Sequence, residues 1–346
     1  MKNMTTYRLA AFTAVLLLAP LAESRAAESE RPIVGAWRWD AWYGEGEAVK
    51  TPELSLGPPK YHFRLPWFAR IVGEDKVKIN GDSQEIIEQE IAYAAEAGLD
   101  YWAFLTWWDE ADSMADYRIA LRRYRAAKDK RGVRYCLVSE GFRIDNLSVL
   151  GARGWPLLLE HFQDPNYQTV LDGRPLLYIL GRPKQLGKNE WRQLGDAAVA
   201  TGLKRPYIVL MGTKPERDVK DMESLGFDAI CAHFVGGYTM EQPAYALYSA
   251  AVRRECWDKC RTLQIPTVTF ASAGWDTRPR NEHPPTWAAM WLPGLVATPD
   301  NTPPAQQKPL IDSVTATPAE LAGHIRDAVE WTQRNRDINP SNAVLI

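Results

Sequence analysis

The 346-residue sequence is 46% hydrophobic and 24% charged, and its 41 Lys+Arg against 43 Asp+Glu leave a formal charge of -2. That composition is globular and excludes a disordered or collagen-like chain. The near-neutral balance removes any electrostatic basis for nucleic-acid binding.

At the start of the chain, Lys2 and Arg8 precede an apolar run over residues 9–22, and Ser24-Arg25-Ala26 places small residues at the two positions a signal peptidase reads. Residues 1–26 are expected to be a cleaved secretory signal, because the run is shorter than the roughly 20 residues a membrane anchor needs. Residues 27–346 are then expected to be one mildly acidic domain, secreted or periplasmic, with no membrane contact after cleavage.

Beyond the leader, short β-branched or apolar runs alternate with longer amphipathic segments, the pattern of βα units and a parallel sheet. Strands fall at 33–37, 99–107, 134–140, 176–180, 207–212, 228–234, 267–273 and 343–346. Between them, Asp82 and Glu85 form a capping box ahead of Ile86, Ile87, Ile91 and Ala95, with Gly98 as the stop. Further helices fit 114–131, 188–201, 215–225 and 244–263, and Thr317-Pro318-Ala319-Glu320 opens another with proline at its first position. Eight such repeats predict an α/β protein with a (β/α)₈ barrel, and a doubly wound sheet is the alternative. The eighth strand closes the sequence, so the last helix is expected to be missing, with the first and eighth strands partly open to water.

Export would permit disulfides. Cys136 and Cys231 lie within separate strands, and Cys256 and Cys260 share a helix four residues apart, which suits disulfide geometry poorly. All four are expected to be thiols. No cysteine or histidine spacing suggests a metal site, and no phosphate-loop, dinucleotide or nucleophile-elbow pattern occurs, so no cofactor is expected.

Loop lengths locate the working face. Connections from helix to strand are short, whereas those from strand to helix are long after the first strand (38–81) and after the seventh (274–316). Both long loops belong on the C-terminal face of a barrel, where its enzymes keep their sites. Ten of the 14 tryptophans fall there: Trp37, Trp39, Trp42, Trp67, Trp107, Trp108, Trp155, Trp275, Trp287 and Trp291. Flat apolar rings beside carboxylates suit a sugar, with its apolar faces and polar edges, although many of these rings would serve only to pack the loops.

The carboxylates at strand ends are Asp40, Asp109, Glu110, Glu140 and Asp276. Cleaving a glycoside takes a pair of them about 5 to 10 Å apart. Glu140, between Ser139 and Gly141, and Asp276 are the catalytic candidates; pairing with an arginine is the structural alternative for each. Trp107, Asp109, His233, Trp275 and Arg278 are the substrate-binding candidates. With five histidines and no H-x-H or H-E-x-x-H, metal catalysis is disfavoured.

The segment from His161 to Ile179, with Asp172-Gly173 closing a small hairpin into the fourth strand, resembles glycoside hydrolase family 99 and the related WbsX-type polysaccharide proteins. Ala273-Gly274-Trp275-Asp276-Thr277-Arg278-Pro279-Arg280 is a second match. The resemblance implies a (β/α)₈ barrel acting on glycans, family 99 itself being retaining endo-α-mannosidases. It also implies a Trp-Asn-Glu-like segment with the acid/base carboxylates just after the eighth strand, where this sequence stops at Ile346. A glycoside hydrolase is the expectation, and a carbohydrate-binding protein without catalysis is the alternative.

Overall fold

The computed structural model describes residues 31–44, 47–108, 118–149, 154–235, 244–274, 276, 278–283 and 315–346. The expected signal segment, Asp109, Glu110, Trp275, Trp287 and Trp291 lie outside the described residues. The strands, in chain order, are β1 (Ile33–Arg38), β2 (Arg70–Gly73), β3 (Lys76–Lys78), β4 (Tyr101–Leu105), β5 (Arg134–Glu140), β6 (Thr169–Val170), β7 (Arg174–Leu180), β8 (Tyr207–Gly212), β9 (Ala229–Ala232), β10 (Thr269–Phe270) and β11 (Ala343–Leu345).

Eight of them form a nearly closed parallel barrel in the order β10-β11-β1-β4-β5-β7-β8-β9. The remaining seam between β9 and β10 is bridged around Ile230, whose N–H donates to the Pro266 carbonyl while its own carbonyl accepts from Val268, both at 2.9 Å. All eight expected strands are present, and β6 pairs antiparallel with β7 as the expected hairpin.

The open edge expected at the first and eighth strands is absent. β11 has a partner on each side, Ala343, Val344 and Leu345 are fully buried, and the Ile346 N–H donates to the Gly35 carbonyl at 2.8 Å. Ring closure satisfies both edges, and the helix Pro318–Arg334 packs over β10 and β11. There Thr332 and Thr269 share a hydroxyl contact at 2.6 Å, and the Asn339 amide donates to Thr269 at 3.1 Å and to the Ala343 carbonyl at 2.9 Å.

The strand pleat sets which residues reach the interior. Tyr101 of β4 and Tyr178 of β7 point inward, since their hydroxyls meet at 2.9 Å across the strand that separates them. Gly35 faces the same ring; a Cβ there would lie 2.2 Å from it, so the position excludes any side chain. Residues 35 and 37 on β1 and 101, 103, 105 and 107 along β4 therefore face inward. On β5, Tyr135 packs outward against Tyr124 and His161 of flanking helices, which leaves Cys136, Val138 and Glu140 inward.

Several local expectations are corrected. Ser83, not Asp82, caps the helix Gln84–Glu96, accepting from the Ile86 N–H at 3.1 Å, while Asp82 pairs with Arg123. The helix expected over 114–131 is described at Ile119–Ala126, and Ala127 leaves helical geometry at ψ 131°. The helix over 244–263 carries a π stretch at Arg253–Asp258. The second capping box is present, with Thr317 and Glu320 bonding reciprocally. All four cysteines are free and buried.

Candidate functional site

All the strands of the barrel run parallel, so their C-terminal ends share one mouth, and two groups of expected residues gather there. The first belongs to β4 and β5. Glu140 ends β5 pointing inward with its side chain 13% exposed, and the Arg143 Nε lies 3.9 Å from its carboxylate. The Arg143 guanidinium carbon stands 4.5 Å above the Trp107 ring and 5.1 Å from Phe142, a cation–π stack that fixes the arginine beside the glutamate. Trp107 is buried and Phe142 is exposed.

The second group joins β1 to β9. Trp37 points inward and meets the His233 ring edge-on, with centroids 6.2 Å apart at 89°. Trp39 leans on Trp37 at 5.9 Å and is 43% exposed, so one of its surfaces is open to a ligand. Burial lowers the His233 pKa, partly offset by its backbone contact with Gly212, which keeps the imidazole neutral at physiological pH.

Asp276 behaves differently from Glu140. Burial pushes its carboxyl up, but hydrogen bonds from Arg278 and the charges of Arg64 and Arg278 outweigh this and hold it below the usual carboxylate range. Arg278 grips both oxygens at 2.8 Å, the Arg64 Nη1 lies 3.3 Å from Oδ2, and the side chain is 1% exposed. Asp276 and Arg278, both expected at the site, are therefore brought together as an ion pair. Asp40 likewise turns away from the interior. It joins a buried network behind β1, where Arg38 donates to Asp40 at 2.6 Å and to Glu90 at 3.0 Å while lying 4.3 Å above the Trp102 ring.

Two features of the mouth wall carry no short-range sequence signal. Residues 47–64 fold into a helix and a 3-10 turn, followed by the β2–β3 hairpin, over a small core of Leu56, Tyr61, Val77 and Ile79. This insert is clasped to the loop after β10: Lys60 and Tyr61 both reach Glu282 at 2.7 Å, and Arg64 donates to the Asp276 carbonyl at 3.0 Å. Of the other tryptophans expected at the mouth, Trp108 donates to Ser139 on the outer face and Trp155 packs on Trp191 between helices, so both serve the wall rather than the mouth. Among the described residues, no group of three or more His, Cys, Asp or Glu side chains is arranged to hold a metal ion.

The fold and the arrangement of its mouth define a (β/α)₈ barrel with an aromatic, carboxylate-bearing C-terminal face. Among solved structures the chain is similar to the family 99 endo-α-mannosidase of Bacteroides thetaiotaomicron in complex with bis-tris propane, with a TM-score of 0.51 and 14% identity over 90% of this chain and 82% of that one. A second structure of that enzyme aligns with a TM-score of 0.45, also at 14% identity. No protein-family model matches the chain, and no curated protein sequence does.

Proposed function

We propose that the barrel mouth binds a glycan and that the protein is a glycoside hydrolase acting on an oligosaccharide or polysaccharide after export. The observation that supports this most is the inward Glu140 at the end of β5, held beside the Trp107 face by Arg143. A carboxyl group facing the interior at the C-terminal mouth of a barrel can serve as the acid, base or nucleophile that glycosidic cleavage needs. The barrel's similarity to a solved endo-α-mannosidase, an enzyme that acts on a glycan, supports the same reading.

Glycosidases require a second carboxylate, and Asp276 is the candidate. Its engagement by Arg64 and Arg278 is also the specific observation that favours a second reading, a glycan-binding protein without catalysis. Release of new reducing ends from a panel of mannans, glucans and galactans separates the two. Hydrolysis by the wild-type protein that falls by about 100-fold or more in Glu140→Gln, the range for losing an acid/base group, supports the enzyme. Binding on a glycan array without hydrolysis favours the binder, and hydrolysis unaffected by Glu140→Gln would remove Glu140 from the mechanism.

A further inference from the structure

The contact between Trp37 and His233 leaves two buried polar atoms unmatched. The Trp37 Nε1–H and the His233 Nδ1 each lack a hydrogen-bond partner, although both are shielded by protein. The two rings come from β1 and the end of β9, with β10 and β11 between those strands, and they meet edge-to-face at the mouth. Buried N–H groups and ring nitrogens are rarely left unsatisfied, so such atoms at the barrel mouth mark places that a ligand or water completes.

The chemistry of the two atoms narrows the ligand. The indole nitrogen can only donate, and the neutral imidazole offers one nitrogen as donor or acceptor according to tautomer. Neither carries charge, so neither selects a carboxylate, phosphate or ammonium group. A hydroxyl both donates and accepts, so a pair of adjacent hydroxyls on a pyranose matches the two atoms in chemistry. Trp39, tilted against Trp37 and open on one side, provides a surface for the apolar face of the same ring.

We infer that Trp37 and His233 form a neutral hydroxyl-reading subsite, which takes an adjacent pair of hydroxyls of one sugar residue while Trp39 stacks on its ring. This rests on the glycan reading of the mouth and extends it to a named subsite. Arg143 and Glu140 belong to the other group, so the subsite would bind and orient rather than act on the glycosidic bond.

The test uses the methyl α-pyranosides of mannose, glucose and galactose, with their 2-, 3-, 4- and 6-deoxy forms, titrated by NMR into the wild-type protein, Trp37→Phe, His233→Leu and His233→Asn. Trp37→Phe keeps an aromatic ring and removes only the donor. In the wild type, deleting one particular hydroxyl should weaken binding by about tenfold, as expected for leaving one buried group unpaired. That same deletion should have no further effect in Trp37→Phe, which binds the parent sugar about tenfold more weakly. His233→Leu should lose a neighbouring hydroxyl in the same way, and His233→Asn should recover part of it. Equal affinities for parent and deoxy sugars in the wild type, or an unchanged pattern in Trp37→Phe that melts normally, would overturn the subsite. If larger glycans are bound or cleaved while every methyl pyranoside is ignored, the subsite also fails and the glycan reading stands. If no glycan of any size binds, the broader reading falls with it.

Discussion

Single side chains decide what the mouth can do, and their roles were only partly legible in sequence. Glu140 was recognisable because it ends an apolar strand, and the pleat then turns it inward. That Asp40 would face away was not legible, since its orientation depends on Glu90 of a distant helix and on Arg38 lying over Trp102. The histidines carry a measurable consequence. Burial lowers His161 and His324 from 6.5 to about 4, and it lowers His233 as well. The folded protein therefore refuses protons that the unfolded chain accepts, and stability should fall as pH drops below 6.5 and continue falling to about 4. The limiting slope is about 1.4 kcal/mol per pH unit for each histidine. Urea unfolding at a series of pH values between neutrality and the carboxylate range checks this, and replacing His161 and His324 with glutamine should flatten the profile.

Barrel strands and most helices could be read from periodicity because each βα unit repeats the same short-range pattern. The insert between β1 and the helix Gln84–Glu96 could not, because its small core and its attachments are long-range: Lys60, Tyr61 and Arg64 find Glu282 and Asp276 more than 200 residues away. The missed helix Gly154–Phe162 lies close before the β6–β7 hairpin, where an almost unbroken apolar run hides the helical period. Asp276→Asn combined with Glu282→Gln should loosen the insert from the loop after β10, since together they leave Arg64, Lys60 and Tyr61 without their carboxylates. The expected loss is about 1 to 3 kcal/mol of stability, read by thermal or denaturant unfolding. Limited proteolysis should then cut the insert faster while the barrel strands remain protected. An unchanged melting profile with unchanged cleavage would show that the clasp does not hold the two loops together.

At the scale of the molecule, eight parallel strands bring residues distant in sequence to one end, so that Trp37 meets His233 and Trp107 meets Arg143. The central claim is that this end receives the glycan. The exposed surface that competes with it lies on the insert and nearby, where Trp67, Ile71, Val72 and Tyr93 are open to solvent. Hydrogen exchange with and without an oligosaccharide chosen on a glycan array distinguishes them most directly. The account predicts slower exchange in peptides covering residues 36–43, 104–108, 138–144 and 231–235, with the β2–β3 hairpin unaffected. Protection confined to residues 67–78, or no glycan-dependent protection anywhere, would contradict it.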